Sequence, residues 1–249
     1  MRFFIYNIRY GTGSGIKFHL PFPFSGYLKR TQKNTSWIIE FIRQIKPDII
    51  GLIEVDSGSF RTRWSNQAEL IANALGHFYV YQSKYDTGSL VGKLPVLNKQ
   101  GNAFLTSENI KAKKFHYFQK GIKRLVIELE FDKFCIFLVH LSIKFRHRHY
   151  QLSDLHEIIN ESKKPVIVAG DLNALWGDRE LNLFLAATGL KNANTHSHPS
   201  YPSRYPRLEL DYILHSPQIK ITNFFMPKIN LSDHMPLVCD FEIDPFPSV

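Results

Sequence analysis

Residues 49–55, Ile-Ile-Gly-Leu-Ile-Glu-Val, are apolar almost without a break until a carboxylate, Glu54, closes the run. Pro47-Asp48 stands before it, so the run is too short for a helix and reads as a strand buried on both faces. A glutamate left unpaired at such a place costs several kcal/mol, so a cation or a basic side chain has to meet it. The pattern recurs along the chain. Strands expected over residues 2–8, 134–141, 165–169, 210–215 and 235–243 carry, at or beside their ends, Asn7, His140, Asp171 with Asn173, Asp211, and Asp233 with His234. Side chains at strand termini are held by a rigid sheet and can converge over one edge while lying far apart in sequence.

Between these runs the apolar spacing turns helical. Trp37, Ile38, Phe41, Ile42 and Ile45 predict a helix over residues 35–45 behind an Asn34/Thr35 cap. Further helices are expected over residues 65–75, stopped by Gly76, over 148–161, and over 178–188. A β meander is expected between residues 77 and 141, and a strand over 219–225 in the tail. No internal repeat, low-complexity tract or dividing linker interrupts the 249 residues, which are read as one domain, 1–249. Strands flanked by helices in both halves predict an α/β fold in which two mixed β-sheets pack face to face with helices outside, a sandwich of four layers.

The chain is 44% hydrophobic and 21% charged, which excludes a disordered or fibrous polypeptide. Lys and Arg number 31 against 22 Asp and Glu, a net charge of +9 that favours anionic partners without choosing among them. Four carboxylates, Glu54, Asp171, Asp211 and Asp233, would repel one another on meeting unless something positive sat among them. Oxygen donors of this kind suit Mg2+, with Mn2+ as a substitute, rather than structural zinc. Cys135 and Cys239 each lie in an apolar β-like run and read as buried free thiols. Neither a membrane span nor a cleavable leader is legible, so the expected location is cytoplasmic, with a peripheral position on the inner face of the membrane as the variant.

Taken in order, seven segments make a stronger signal than any of them alone. They are Tyr6-Asn7-Ile8-Arg9-Tyr10-Gly11, Pro47-Asp48-Ile49-Ile50-Gly51-Leu52-Ile53-Glu54-Val55, Gly101-Asn102-Ala103-Phe104-Leu105, Val139-His140-Leu141-Ser142, Val168-Ala169-Gly170-Asp171-Leu172-Asn173, Leu210-Asp211-Tyr212-Ile213-Leu214 and Ser232-Asp233-His234-Met235-Pro236-Leu237. In these the chain resembles the endonuclease/exonuclease/phosphatase superfamily, with its deoxyribonuclease I-like fold, over essentially its whole length. The resemblance implies one divalent cation, usually Mg2+, held chiefly by Glu54 with Asn7 and Asp233 close by. It implies that Asp171 and Asn173 position the attacking water and the phosphate. His234 matches a histidine that takes a proton from water or hydrogen-bonds a phosphate oxygen, Asp211 the carboxylate that fixes its tautomer, and His140 a second histidine facing the scissile phosphate. Whether Asp171 or His234 is the general base stays open.

The substrate is set by loops outside those segments. Between Gly11 and Asn34, Phe18, Leu20, Phe22, Phe24, Tyr27 and Leu28 stand among Lys17, Lys29, Arg30 and Lys33, a mixture that suits stacked bases with a phosphate backbone, or a lipid interface with its headgroups. A second basic stretch, Lys111, Lys113, Lys114, Lys120, Lys123 and Arg124, reads mainly as a solvated face, and Lys144, Arg146 and Arg148 as the wet start of a helix. A phosphodiesterase acting on nucleic acid is expected first. A phospholipid or sphingolipid headgroup hydrolase, docked on an anionic membrane through residues 17–33, is the alternative, and a non-catalytic binding module the minor one. No obligate protein partner is implied.

Overall fold

The computed structural model describes residues 1–15, 29–84, 96–121 and 123–243. Its strands are β1 (Arg2–Asn7), β2 (Ile49–Asp56), β3 (Phe78–Ser83), β4 (Gln100–Thr106), β5 (Ala112–Tyr117), β6 (Leu125–Glu130), β7 (Cys135–His140), β8 (Val166–Asp171), the short β9 (Lys191–Asn192), β10 (Asp211–His215), β11 (Ile219–Phe225) and β12 (Leu237–Ile243). They form two sheets of six, ordered β11-β12-β1-β2-β4-β3 and β5-β6-β7-β8-β10-β9. Each sheet is mixed: β1 runs parallel to β2 and β7 parallel to β8, with antiparallel neighbours around them.

Period-two alternation places every second side chain on the opposite face, and here both faces are covered. Phe3, Ile5, Ile49 and Ile53 of the first sheet meet Ile127, Ile136, Leu138 and Ile167 of the second in the central core. The intervening Phe4, Tyr6, Ile50 and Leu52 face α1 (Gln32–Ile45) and α2 (Gln67–Leu75) through Ile38, Ile42 and Ile71. On the other side, Phe137, Val139 and Val168 face α3 (Phe145–Asn160) and α4 (Asn182–Thr188) through Leu152, Leu155, Ile159 and Phe184. The four layers expected from the sequence are these. Cys135 and Cys239 are buried and free.

Element ends differ from the sequence reading for local reasons. The first helix begins at Gln32, behind Thr31, because the Asn34 amide donates to Leu231 O (2.8 Å) and the Thr35 hydroxyl to Thr31 O (3.1 Å), so neither caps it. The third starts at Phe145, in an exposed first turn that apolar periodicity does not mark. The fourth is shorter than expected, since residues Gly177–Glu180 form a 3-10 turn ahead of it. Among the described residues no helix is long and apolar enough to cross a membrane.

Candidate active site

The carboxyl ends of β7 and β8 and the amino end of β10 meet at one edge of the second sheet. Register sets His140 opposite Asp171 and Asp171 opposite Asp211, so three strands contribute a row of polar side chains. Gly170 makes this row possible: a Cβ there would lie 1.9 Å from Val139 O, so only glycine lets β7 and β8 close up. His140 Nε2 is 3.2 Å from Asp171 Oδ2. His234, in the loop between β11 and β12, lies with Nδ1 2.7 Å from Asp211 Oδ2 and Nε2 3.9 Å from Asp171 Oδ2. A carboxylate only accepts, so Nδ1 carries a proton and Nε2 is turned toward Asp171. The Ser200 hydroxyl donates to the same Asp211 oxygen (2.6 Å), and the Tyr201 ring packs on His234 with centroids 4.9 Å apart.

The first sheet supplies the opposite wall. Between Leu52 and Val55 the pairing of β2 with β4 shifts register, and Glu54 there adopts φ 58°. This bulge turns the glutamate out of the alternation that would have buried it among apolar neighbours. Asn102 fixes the bulge by accepting from Glu54 N through Oδ1 (3.3 Å). Lys84, one residue beyond β3, places Nζ 4.0 Å from Glu54 Oε1 and 3.2 Å from His140 Nδ1. Lys123 touches the other nitrogen of His140. Asn7 joins the two sheets, donating through Nδ2 to Asp171 Oδ2 (3.1 Å) while its Oδ1 accepts from Arg9 N (3.1 Å). The Arg9 guanidinium holds Asp233, 3.2 Å away.

These neighbours set the charge states. Burial, with the ammonium groups of Lys123 and Lys84, lowers the His140 pKa to about 3, so the ring is neutral. Burial alone would lower His234 too, but Asp211 and Asp171 overcome it and raise its pKa to about 10. Burial opposes ionisation of Asp171, yet His140, His234 and Lys123 hold its carboxyl well below the usual range. Glu54 is also held low, with Lys84 and Lys123 outweighing burial. Burial brings Lys84 down to about 8 against the pull of Glu54.

All eight residues expected from the sequence, Asn7, Glu54, His140, Asp171, Asn173, Asp211, Asp233 and His234, lie around this edge. Asn173 takes φ 50°, with its N–H on Asp171 Oδ1 (3.0 Å) and its Nδ2 on Leu141 O (3.0 Å). Sequence reasoning missed Lys84, Arg9, Ser200 and Tyr201, and left Lys123 in a solvated face. Two of these carry a sequence signal: Lys84 stands at the end of a strand, and Arg9 lies two residues beyond Asn7 in the same matched segment. Lys111, Lys113, Lys114, Lys120 and Arg124 are exposed as expected. Arg148 is not a wet helix start: it is buried and donates to Ser142 O (2.9 Å) and Ile143 O (2.7 Å). The aromatic residues of the 17–33 insertion lie outside the described residues.

A hard divalent cation fits the donors present. Glu54, Asn7 and Asp233 offer carboxylate and amide oxygens, and Lys84 stands off Glu54 at 4.0 Å rather than in a tight pair. Asp171, Asp211 and His234 also bring ligand atoms within 4.8 Å of one another. Their geometry is instead that of a carboxylate-poised imidazole, because His234 Nδ1 is already committed to Asp211.

Residues 6–234 match the model of the Endonuclease/Exonuclease/phosphatase family, so the chain belongs to that family. It is 31% identical over 121 residues to the uncharacterized protein YbhP of Escherichia coli strain K12, a match that covers 43% of this chain and 46% of that protein. The chain thus spans about half the length of the curated relatives it matches. Among solved structures it superposes on the catalytic domain of human Nocturnin with bound sulfate anion with a TM-score of 0.71 and 23% identity, over 98% of this chain and 93% of that one. It superposes on a family protein from Bacteroides thetaiotaomicron with a TM-score of 0.74 and 15% identity, over 98% of each. For a mannosyl-6-phosphatase from the same organism the TM-score is 0.71 and the identity 15%, over 98% of this chain and 100% of that one. These likenesses establish the fold.

Proposed function

We propose that the protein is a divalent-metal-dependent phosphoesterase that hydrolyses a phosphoester by in-line attack of water. The observation that carries this reading is the row His140, Asp171 and Asp211, with His234 poised on Asp211 and Glu54 facing it from the other sheet. Mg2+ held by Glu54, Asn7 and Asp233 would supply charge stabilisation at the phosphate and its leaving oxygen. Asp171, ionised and fixed by Asn7, orients the attacking water, and the Asn173 backbone holds the Asp171 carboxylate in that attitude. Asp211 and Asp171 keep His234 cationic, so a phosphoryl oxygen that reaches its Nε2 would meet a charged donor. Lys84 and Lys123 add positive charge on the His140 side.

Nucleic acid is the substrate class that the +9 charge favours, although every anionic phosphoester satisfies that criterion. A lipid phosphoester is the second reading, favoured by exposed apolar side chains beside the site. Turnover in oxygen-18 water across DNA, RNA, phospholipid and small phosphoesters tests the common chemistry. Label is expected in the phosphate-bearing product, with rates down by roughly 10²–10⁴ in His234→Ala. Unlabelled phosphate, or undiminished turnover in His234→Ala, contradicts the reading.

A further inference from the structure

Beside the catalytic edge, apolar side chains stand in water. Ile143 lies three residues beyond His140, and Leu175 and Trp176 lie two and three beyond Asn173. Because β7 and β8 are parallel, both loops leave the same edge as the catalytic row. Trp176 is 74% exposed, Ile143 60% and Phe145 56%, and Leu183 on α4 adds 72%. Phe145, Leu152, Trp176 and Leu183, with His149, Arg179 and Glu180 at their side, line a mainly apolar groove of about 640 Å³. Exposed apolar side chains gathered around one groove on a folded protein mark an interaction surface.

The patch is held on a built frame. Buried Arg148 donates to Ser142 O and Ile143 O in the first loop and through Nε to Glu180 Oε2 (2.6 Å), while Glu180 Oε1 accepts from Trp176 N (2.8 Å) in the second. One guanidinium thus clamps both loops and fixes their apolar residues outward. Exposed cations stand among them: Lys144 and Arg146 flank Phe145 along the chain, and Arg179 lines the groove.

We infer that Ile143, Phe145, Leu175, Trp176 and Leu183 form a docking face that seats the catalytic edge on an anionic lipid bilayer. Apolar side chains enter the interface while Lys144, Arg146 and Arg179 meet headgroup phosphates. A second copy of the chain fits poorly, since its cations would face these. Single-stranded nucleic acid fits less well than lipid, because Ile143, Leu175 and Leu183 offer no flat face for a base. The docking stands on its own geometry. Docking would bring a phosphoester carried by a membrane lipid, the second of the two substrate readings above, to the catalytic edge, and that consequence rests on the phosphoesterase reading.

The test is sedimentation with vesicles of phosphatidylcholine, alone or mixed with phosphatidylglycerol, read beside Trp176 fluorescence in a Trp37→Phe/Trp64→Phe background. Expected are binding to the anionic vesicles with a blue shift of Trp176, a loss of affinity of roughly tenfold or more in Trp176→Ser/Leu183→Ser, and unchanged hydrolysis of a soluble phosphodiester by that variant. Glu54→Gln is expected to bind as the wild type does. If vesicles bind in this way while no phosphoester is turned over, the docking face stands and the phosphoesterase reading falls. The inference is overturned if Trp176→Ser/Leu183→Ser binds like the wild type, or if Phe22→Ser/Phe24→Ser alone abolishes binding. Burial of Trp176 by self-association, or a Trp176 shift with oligonucleotide but not vesicles, also overturns it.

Discussion

Arg61 shows how the site is braced by residues that touch none of its chemistry. It is fully buried against Asp56, equally buried, with Nε 3.0 Å and Nη2 2.7 Å from one carboxylate oxygen. Its guanidinium packs over the Tyr10 ring at 4.8 Å, and the same ring faces the Lys84 ammonium at 5.5 Å. Arg61→Met would leave the Asp56 charge buried without its partner, so a loss of about 3–5 kcal/mol in unfolding free energy is expected in a denaturant titration. A loss below ~1 kcal/mol would mean that water reaches Asp56 and that the brace is not there. Such residues escape a sequence reading. Glu54 and Asp171 are legible because a carboxylate ending an apolar strand is costly without a reason. Arg61, Lys84 and Lys123 look like any surface cation until the fold turns them inward.

At the scale of elements, chemistry depends on strands meeting in one register. The parallel pair β7/β8 carries the row, and the Gly170 contact with Val139 O allows no side chain between them. Gly170→Ala is expected to cost ~3 kcal/mol or more, seen as a lowered unfolding midpoint, because backbone atoms rather than a flexible side chain obstruct the methyl. An unchanged midpoint would show that β7 and β8 can part without penalty. The strands were legible because their apolar runs reflect burial on both faces. Helix starts were less so: α3 opens with an exposed turn, and the α1 cap candidates bond elsewhere. The bulge that aims Glu54 was not legible, since no residue type requires φ 58° there.

For the whole molecule, two sheets bring acidic, amide and imidazole groups from both halves of the chain to one edge, with Asn7 bonded across to Asp171. The order of segments along the sequence already points to this meeting. The cations that temper it, and the apolar face beside it, emerge only from the folded arrangement. The central claim is that this edge holds a hard divalent cation through Glu54 and uses it on a phosphoester. A Mg2+ titration of soluble phosphodiester hydrolysis, run on wild type and Glu54→Gln in parallel, tests it most directly. The account predicts activity that saturates with Mg2+ and vanishes in EDTA, and a variant slowed by roughly 10²-fold or more or needing far more metal. Hydrolysis indifferent to Mg2+ and EDTA, and equal in the two proteins, would contradict it.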